Sequence, residues 1–384
     1  MTTQPQPNPA AILRPVVDCL VVGGGPVGLL TAVFLGQAGL QVSVVERWPQ
    51  RYPLPRACTI DHEALRILQA AGLMADHAHL FEPSEGERGG YEFRNGAGEL
   101  LQAIDWNRAA ESGWANTNGF YQPDLEATLE DLAVATPGLS VHRGWTFQAL
   151  TEDHRGVSVQ VGSTEQPAEV VQIRSRWLIG ADGANSPVRS QLGIDVGDSG
   201  FQADWLVVDY QPLVEEKWSA FVTQYCDPAQ PTTAVNSGPG RRRFEFMRRA
   251  DMTVEELGQD STAWRLMAPW GVTPETARLE RHAVTRSGDG GHTPGAQETS
   301  SSPVTRPTSC LPSSGRDCAP ACGTLGHWPG GWPWCTGGLR RRRCSTRMSR
   351  NAPDTSGRSS TRQWPPALSS ANSTSTGQQP GTPR

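Results

Sequence analysis

Lysine is almost missing from this chain of 384 residues: Lys217 stands alone against 33 arginines. With abundant Gly, Ala and Pro, that bias marks GC-rich coding DNA more than a cationic surface, and the net charge is −5. An acidic chain is a poor partner for nucleic acid. No apolar run approaches the ~18 residues of a membrane span. The opening "MTTQPQPNPAAILRPVVD" lacks the charged-then-apolar pattern of an export signal. Residues 1–284 hold only Cys19, Cys58 and Cys226, too scattered for a disulfide framework or a metal site. A reducing cytoplasm is therefore the expected setting, with no membrane partner. No internal repeat is present.

A larger absence begins after Val284. Residues 285–384 contain no Ile, Phe or Tyr, one Val and four Leu, with twelve Pro and sixteen Ser. Their twelve Arg against four Asp plus Glu give +8, which leaves −13 for residues 1–284. So little apolar surface cannot offset the entropy of ordering a chain, so this segment is expected to be a disordered tail.

What is present is concentrated at the start. Val16 to Val22 is an apolar, β-branched run ending in glycines, as in a buried strand. Gly23-Gly24-Gly25-Pro26-Val27-Gly28 follows and satisfies G-x-G-x-x-G. Leu29 to Ala38 has helical spacing, Gly39 is placed to stop it, and Gln41 to Val45 is a second strand ending at Glu46. Gly23 permits the tight turn, Gly25 lets a pyrophosphate approach the backbone, and Gly28 lets helix pack on strand. The helix N-terminus offers free N–H groups to phosphate. Glu46 is spaced to accept hydrogen bonds from a ribose diol, although a solvated strand-end carboxylate is the plain alternative. Strand, helix, strand and acid in register point to a dinucleotide site, and the spacing alone leaves NAD and FAD both open.

Three further stretches narrow the choice: "PLPRACTIDHEALRILQAAGL" at 53–73, "YQPDLEATL" at 121–129 and "WLIGADGANSPVRSQLGI" at 177–194. With Glu46-Arg47 they resemble the FAD-dependent aromatic hydroxylases, the single-component flavoprotein monooxygenases. "IDHEALR", "WLVVD", "CDPAQP" and "RRFEFM" carry a closer resemblance, to the branch acting on phenolic acids, and the likeness covers residues 17–284. The resemblance implies FAD as cofactor, NADH or NADPH as electron donor, and O2 with a small phenolic acid as substrates. It implies that Gly23, Gly25 and Gly28 hold the pyrophosphate and Glu46, with Arg47 beside it, the adenosine ribose. Arg56 would contact the cofactor near its phosphates and Gln122 would lie along it. Asp182 and Gly183 would serve both FAD and the incoming nicotinamide, with Arg189 closing that turn. Arg56 as a surface arginine and Asp182 as a cap of the next helix remain the ordinary readings. His62 is a weak catalytic candidate beside the flavin; a surface helix histidine is the plainer reading.

Strand-like alternation marks "YEFRNG", "LQAID", "WLVVDYQPL", "SAFVTQYCD" and "RRRFEFM". Phe244 and Phe246 share one face of their strand, Glu245 and Met247 the other. Arg241 to Arg243 suit a substrate carboxylate, but a solvated strand entry is favoured. The expected fold is α/β: a Rossmann-type FAD-binding domain (15–80 and 115–195) and an interleaved β-sheet substrate domain (81–114 and 196–284), followed by the tail.

The resemblance also demands a third cofactor motif: a strand, Gly-Asp-Ala-Ala-His, Pro-Pro and a glycine-rich helix start. Residues after Val284 lack it as written. Joining the first two bases of each codon to the last base of the codon before changes this. Val304 to Pro312, "VTRPTSCLP", then recodes as GDAAHLMPP, and "SSGRDCAPACG" as FLGQGLCAGLR. "TLGHWPGGWPW" gives DVGPLAWRLAL in the same frame. One base restored after Val284 turns Val-Thr-Arg-Ser into Val-Tyr-Thr-Phe. The tail is thus expected to be the third motif translated out of frame, and the chain to stop early for that reason. Zinc-like spacing of Cys318, Cys322, His327 and Cys335, the Arg340 to Arg343 run and "WPW" at 332–334 then carry no function. Two other readings stay open: another FAD oxidoreductase of this fold, such as a reductase or epoxidase, or a non-catalytic fragment.

Overall fold

The computed structural model describes residues 13–86, 89–107, 110–194, 196–216, 218, 220–292 and 304–305. The tail expectations, apart from Val304 and Thr305, fall outside those residues. All described residues belong to the first of the chain's two units, residues 1–335.

The chain opens with β1 (Val16–Val22), α1 (Pro26–Gln37), β2 (Val42–Glu46), β3 (Thr59–Asp61) and α2 (His62–Ala70). Next come α3 (Met74–His77), β4 (Phe81–Pro83), β5 (Gly90–Asn95), β6 (Leu100–Asp105), β7 (Thr117–Phe120) and α4 (Gln122–Ala135). β8 (Leu139–Arg143), β9 (Trp145–Asp153), β10 (Gly156–Ser163), β11 (Val170–Gly180) and α5 (Pro187–Gln191) follow. The last are β12 (Val196–Pro212), β13 (Val222–Cys226), β14 (Thr232–Asn236), β15 (Arg242–Met247), α6 (Val254–Leu257), α7 (Asp260–Met267), β16 (Ala277–His292) and β17 (Val304–Thr305).

β1 is the centre of the first sheet, ordered β8-β2-β1-β11-β10-β9, with β2, β8 and β11 all parallel to their neighbours on this path from β8 to β11. Its alternation explains the layering. Cys19 and Val21 pack with Ala32 and Leu35 of α1, while Leu20 and Val22 join Phe147, Val157, Val159 and Ile173 of the β9–β11 side. Burial pushes the Cys19 thiol up to about 12, so it is an inert core group. α1, α2 and α4 share a second core of Leu29, Leu30, Leu65, Leu68, Leu125 and Leu129. β17 lies parallel to the end of β11, Val304 opposite Leu178 and Thr305 opposite Ile179.

The second sheet runs β16-β12-β15-β14-β13-β5-β6. One face packs Leu206, Val208, Phe244 and Phe246 against Leu257, Ala263 and Met267 of α6 and α7. The opposite face meets the loop that precedes β3: Arg243 Nη1 donates to the Arg56 carbonyl at 2.6 Å, and Cys58 packs with Val222 and Val235. A small third sheet, ordered β3-β7-β4, is interleaved with the other two along the chain.

Candidate cofactor and substrate site

Gly23, at φ 111°, turns the chain where β1 ends, and a Cβ there would stand 2.2 Å from the Ala181 carbonyl oxygen. At Gly28 a Cβ would meet the Gly23 carbonyl oxygen at 1.9 Å. These two glycines are held by backbone approach. Gly25 differs: a Cβ there meets nothing within 4 Å, so the space over the turn is open. Gly28→Ala should therefore break the turn itself. The expected result is aggregation or a melting transition lowered by several degrees, measured by circular dichroism.

α1 is the helix without a side-chain cap at this turn. Gly25 is its N-cap, Pro26 its first residue, and its first turn holds no acid. By contrast α2 is capped by Asp61, α5 by Ser186 and α6 by a Thr253–Glu256 capping box. The first-turn N–H groups of α1 thus face the open space with no carboxylate competing for them, which suits a pyrophosphate. Glu46 sits beside it and is already oriented. Its Oε2 accepts from the Gly24 N–H at 2.7 Å and its Oε1 from the Trp48 N–H at 3.0 Å. Each oxygen keeps a lone pair for a diol. Arg47 is exposed and lies over the Trp48 ring.

Arg56 and Gln122 reach the same region from other elements. Gln122 is buried, accepting from the Ala57 N–H at 2.8 Å and donating to Glu126 at 2.6 Å, so it fixes the loop carrying Arg56. Burial raises the Glu126 carboxyl above the usual range; the Gln122 hydrogen bond, Arg56 and Arg143 oppose that, and Glu46 adds to it. Glu46, Arg56, Gln122 and Glu126 therefore form one charged neighbourhood. The Arg56 guanidinium is exposed, 4.5 Å over the Tyr52 ring.

The Asp-Gly turn lies against the glycine turn, since Ala181 N–H donates to the Val22 carbonyl at 2.7 Å. Gly183 has φ 85°. Asp182 accepts from the Ser186 hydroxyl and, at 3.1 Å, from the Val188 N–H, so it does brace α5, and Ser186 is the cap. Arg189 donates to the Ala184 carbonyl at 2.7 Å and closes the turn. His62 opens α2: its backbone N–H bonds to Asn116 beside β7, and its Nδ1 is buried with no hydrogen-bond partner. Among the described residues no hydrogen bond ties it to the glycine turn, and no His, Cys, Asp and Glu cluster could hold a metal.

The solvated strand entry expected for Arg241 to Arg243 is overturned. Arg243 is only 4% exposed and pairs with Asp209 at 2.7 Å. Arg242 donates to Asn236 at 2.9 Å, and Arg241 covers the Tyr121 ring at 3.7 Å. Arg243 is buried and Arg241 and Arg242 are partly buried, each held against a partner rather than solvated. Arg243→Ala takes the closer cation from buried Asp209 and leaves Arg281 at 3.6 Å, so the loss should fall at the lower end of about 3–5 kcal/mol. Urea unfolding should show it, with Asp209→Leu/Arg243→Met less destabilised than either single variant.

The sequence reading passed over the row that Arg243 begins. On the face toward the β3 loop, Asp209, Arg243, Glu245, Thr233 and Gln224 follow one another across β12, β15, β14 and β13. Thr233 donates to Gln224 at 2.8 Å. The period-two pattern of "RRRFEFM" already set Glu245 opposite the buried phenylalanines. On the other face a cavity of about 540 Å³ is lined by residues including Trp218, Tyr225, Phe244 and Trp270.

A parallel sheet, a glycine turn opening on an uncapped helix and an acid at the second strand define a dinucleotide-binding protein of Rossmann type. The FAD binding domain family matches residues 16–268, and the chain belongs to that family. It is 34% identical over 276 residues to the probable NADH-specific resorcinol 4-hydroxylase of Rhodococcus jostii (strain RHA1), covering 72% of this chain and 51% of that protein. It is 32% identical over 284 residues to the 3-(3-hydroxy-phenyl)propionate/3-hydroxycinnamic acid hydroxylase of Comamonas testosteroni, covering 73% and 46%. Among solved structures it resembles p-nitrophenol 4-monooxygenase PnpA from Pseudomonas putida DLL-E4 with TM-score 0.69 at 20% identity, over 82% of this chain and 79% of that one. The flavin-dependent monooxygenase PieE, solved with FAD and substrate, gives TM-score 0.68 at 21% identity over 81% and 56%. The relatives are named as hydroxylases and the neighbours as monooxygenases, one of them solved with FAD; with the FAD binding domain match, this is an oxidoreductase family with FAD as its cofactor. The chain spans about half the length of the curated relatives it matches.

Proposed function

We propose that this chain derives from an FAD- and NAD(P)H-dependent monooxygenase that hydroxylates a small phenol ortho to its hydroxyl, of the 3-(3-hydroxyphenyl)propionate or 3-hydroxycinnamate type. The observation that carries the reading is the open glycine turn at Gly25, bordered by Glu46 and the Asp182-Gly183 turn. Gly23, Gly25 and Gly28 would hold the pyrophosphate and Glu46 the ribose. Arg56 supplies positive charge nearby, and Gln122 holds its loop in place. Residues 15–80 and 115–195 would form the FAD-binding domain, with 81–114 and 196–284 as the substrate domain. When bound, FAD reduced by NAD(P)H supplies the oxygen activation. The protein's share is to bind, orient, keep water from the ring and handle the phenol's proton. Cys19 and Cys58, buried and outside any disulfide, fit a cytoplasmic setting.

The segment after Val284 is read as the third FAD motif in a shifted frame. Val304 and Thr305, which the shifted frame reads as Gly-Asp, pair with Leu178 and Ile179 just before the Asp182-Gly183 turn. That is where a third cofactor segment would have to enter. The 34% identity to a protein named as a resorcinol hydroxylase favours a second substrate reading, a neutral diphenol. The experiment is to purify the frame-restored protein and follow NADH loss with 3-(3-hydroxyphenyl)propionate, 3-hydroxycinnamate and resorcinol. A yellow protein with phenol-dependent turnover is expected; a colourless protein indifferent to all three overturns the reading.

A further inference from the structure

The face of the second sheet turned away from the β3 loop holds the cavity of about 540 Å³, which the cofactor reading leaves unused. That volume lies within the ~300–1,000 Å³ of small-molecule sites. One wall is continuous aromatic surface. Trp218 meets Phe244 at 5.7 Å between ring centroids, Phe244 meets Trp270 at 5.0 Å, and Trp270 meets Tyr225 at 5.2 Å. Phe244 is buried in the sheet, while Trp270, in the turn after α7, is an exposed part of the lining. Such a wall suits the stacking of a flat ring.

Polar groups with spare capacity line the same space. Thr223 of β13 is only 2% exposed, and no described residue hydrogen-bonds its hydroxyl. A buried hydroxyl without a protein partner is uncommon in a folded chain. Glu216, just after β12, accepts from the Tyr210 hydroxyl at 3.0 Å through Oε1 and 3.2 Å through Oε2, and both oxygens keep lone pairs. Tyr210 thus shows how these groups hold a phenol: its hydroxyl lies on Glu216 and its ring is stacked on Phe244 at 5.9 Å. Charge disfavours a carboxylated ligand. Arg94 is occupied by Glu92 and the Gly98 carbonyl, and Arg242, 4.0 Å from Glu216, is shared with Glu82 at 3.9 Å. Glu215, exposed in the lining, adds a further negative charge.

We propose that this cavity binds an uncharged phenol, a mono- or dihydroxybenzene, with its ring on the aromatic wall and its hydroxyls bonded to Glu216 and Thr223. The assignment stands independently of the hydroxylase reading, because none of these groups is given to the cofactor or to the reacting ring. A phenol donates to the carboxylate as Tyr210 does. An aryl ether lacks the donor, and a phenolic acid brings a charge that Glu215 and Glu216 repel.

The test is calorimetry of resorcinol, 1,3-dimethoxybenzene and 3-(3-hydroxyphenyl)propionate, without FAD, on the full chain and on the frame-restored chain, which share every cavity residue. Resorcinol should bind saturably, one molecule per chain. The dimethoxy compound and the propionate should bind at least about tenfold more weakly. Glu216→Gln should weaken resorcinol at least about tenfold, and Thr223→Val about three- to tenfold, with FAD binding by the frame-restored chain unchanged. Thr223→Val keeps the side-chain volume, so it decides the matter where Glu216→Gln fails to fold. No saturable binding without FAD, or Thr223→Val binding resorcinol as the parent does, overturns the cavity assignment and leaves the hydroxylase reading intact. The propionate binding as tightly as resorcinol overturns the choice of an uncharged ligand, and the proposal with it.

Discussion

Expressed as it stands, the 384-residue chain will show no phenol-dependent NADH oxidation, whereas the chain with one nucleotide restored after the Val284 codon will. The written chain keeps the glycine turn, Glu46 and the Asp182-Gly183 turn. It lacks the Gly-Asp-Ala-Ala-His segment that the resemblance requires, whose aspartate would hold the ribityl chain of the cofactor. Losing one hydrogen bond to a charged group costs about 1.5–3 kcal/mol. The resemblance also implies a helix after that segment, whose N-terminus would face the flavin ring; losing it would uncover apolar surface as well, so the expected effect is larger. Weak flavin retention and poor solubility are expected of the written chain. Equal coupled turnover by both chains, followed at the NADH absorbance, would show that the tail is functional after all.

Gly25→Val should abolish flavin binding in the frame-restored protein while leaving its fold intact. The contrast with Gly28 makes this sharp. At Gly28 a side chain strikes backbone, while at Gly25 it meets only open space, where the pyrophosphate is proposed to lie. Gly25 lies in extended backbone at φ −79°, ψ −178°, which valine adopts without strain. A cofactor affinity weakened at least about a hundredfold, near 2.8 kcal/mol, is expected with an unchanged melting temperature of the apoprotein. A Gly25→Val protein that purifies with full flavin absorbance would put the cofactor elsewhere.

The elements around the cofactor were legible because their signals are local. Gly39 at φ 86° stops α1 where the pattern placed it, and a helix follows the Asp182-Gly183 turn, capped by Ser186. Boundaries moved slightly: α1 begins at Pro26 rather than Leu29, and β2 at Val42 rather than Gln41. The β9–β10 hairpin was not singled out, since its core valines join the sheet through pairing with the distant β11. Arg243 was misjudged for the same reason. Three consecutive arginines read as solvated charge unless Asp209, 34 positions earlier, is known to lie opposite. Glu245 could be set on a face by alternation, but only the pairing of β12, β15 and β14 shows it without a hydrogen-bond partner in a polar row. Asp182 is not the cap of α5, which is Ser186; it braces that helix through Ser186 and Val188 while its turn adjoins the glycine turn.

The most direct test is the nucleotide sequence from codon 280 to codon 312. One base added after the Val284 codon should open a continuous frame in which the codons overlapping Val304 to Thr308 encode Gly-Asp-Ala-Ala-His. A stop codon in that frame before position 304, or bases there that encode another sequence, would contradict the account.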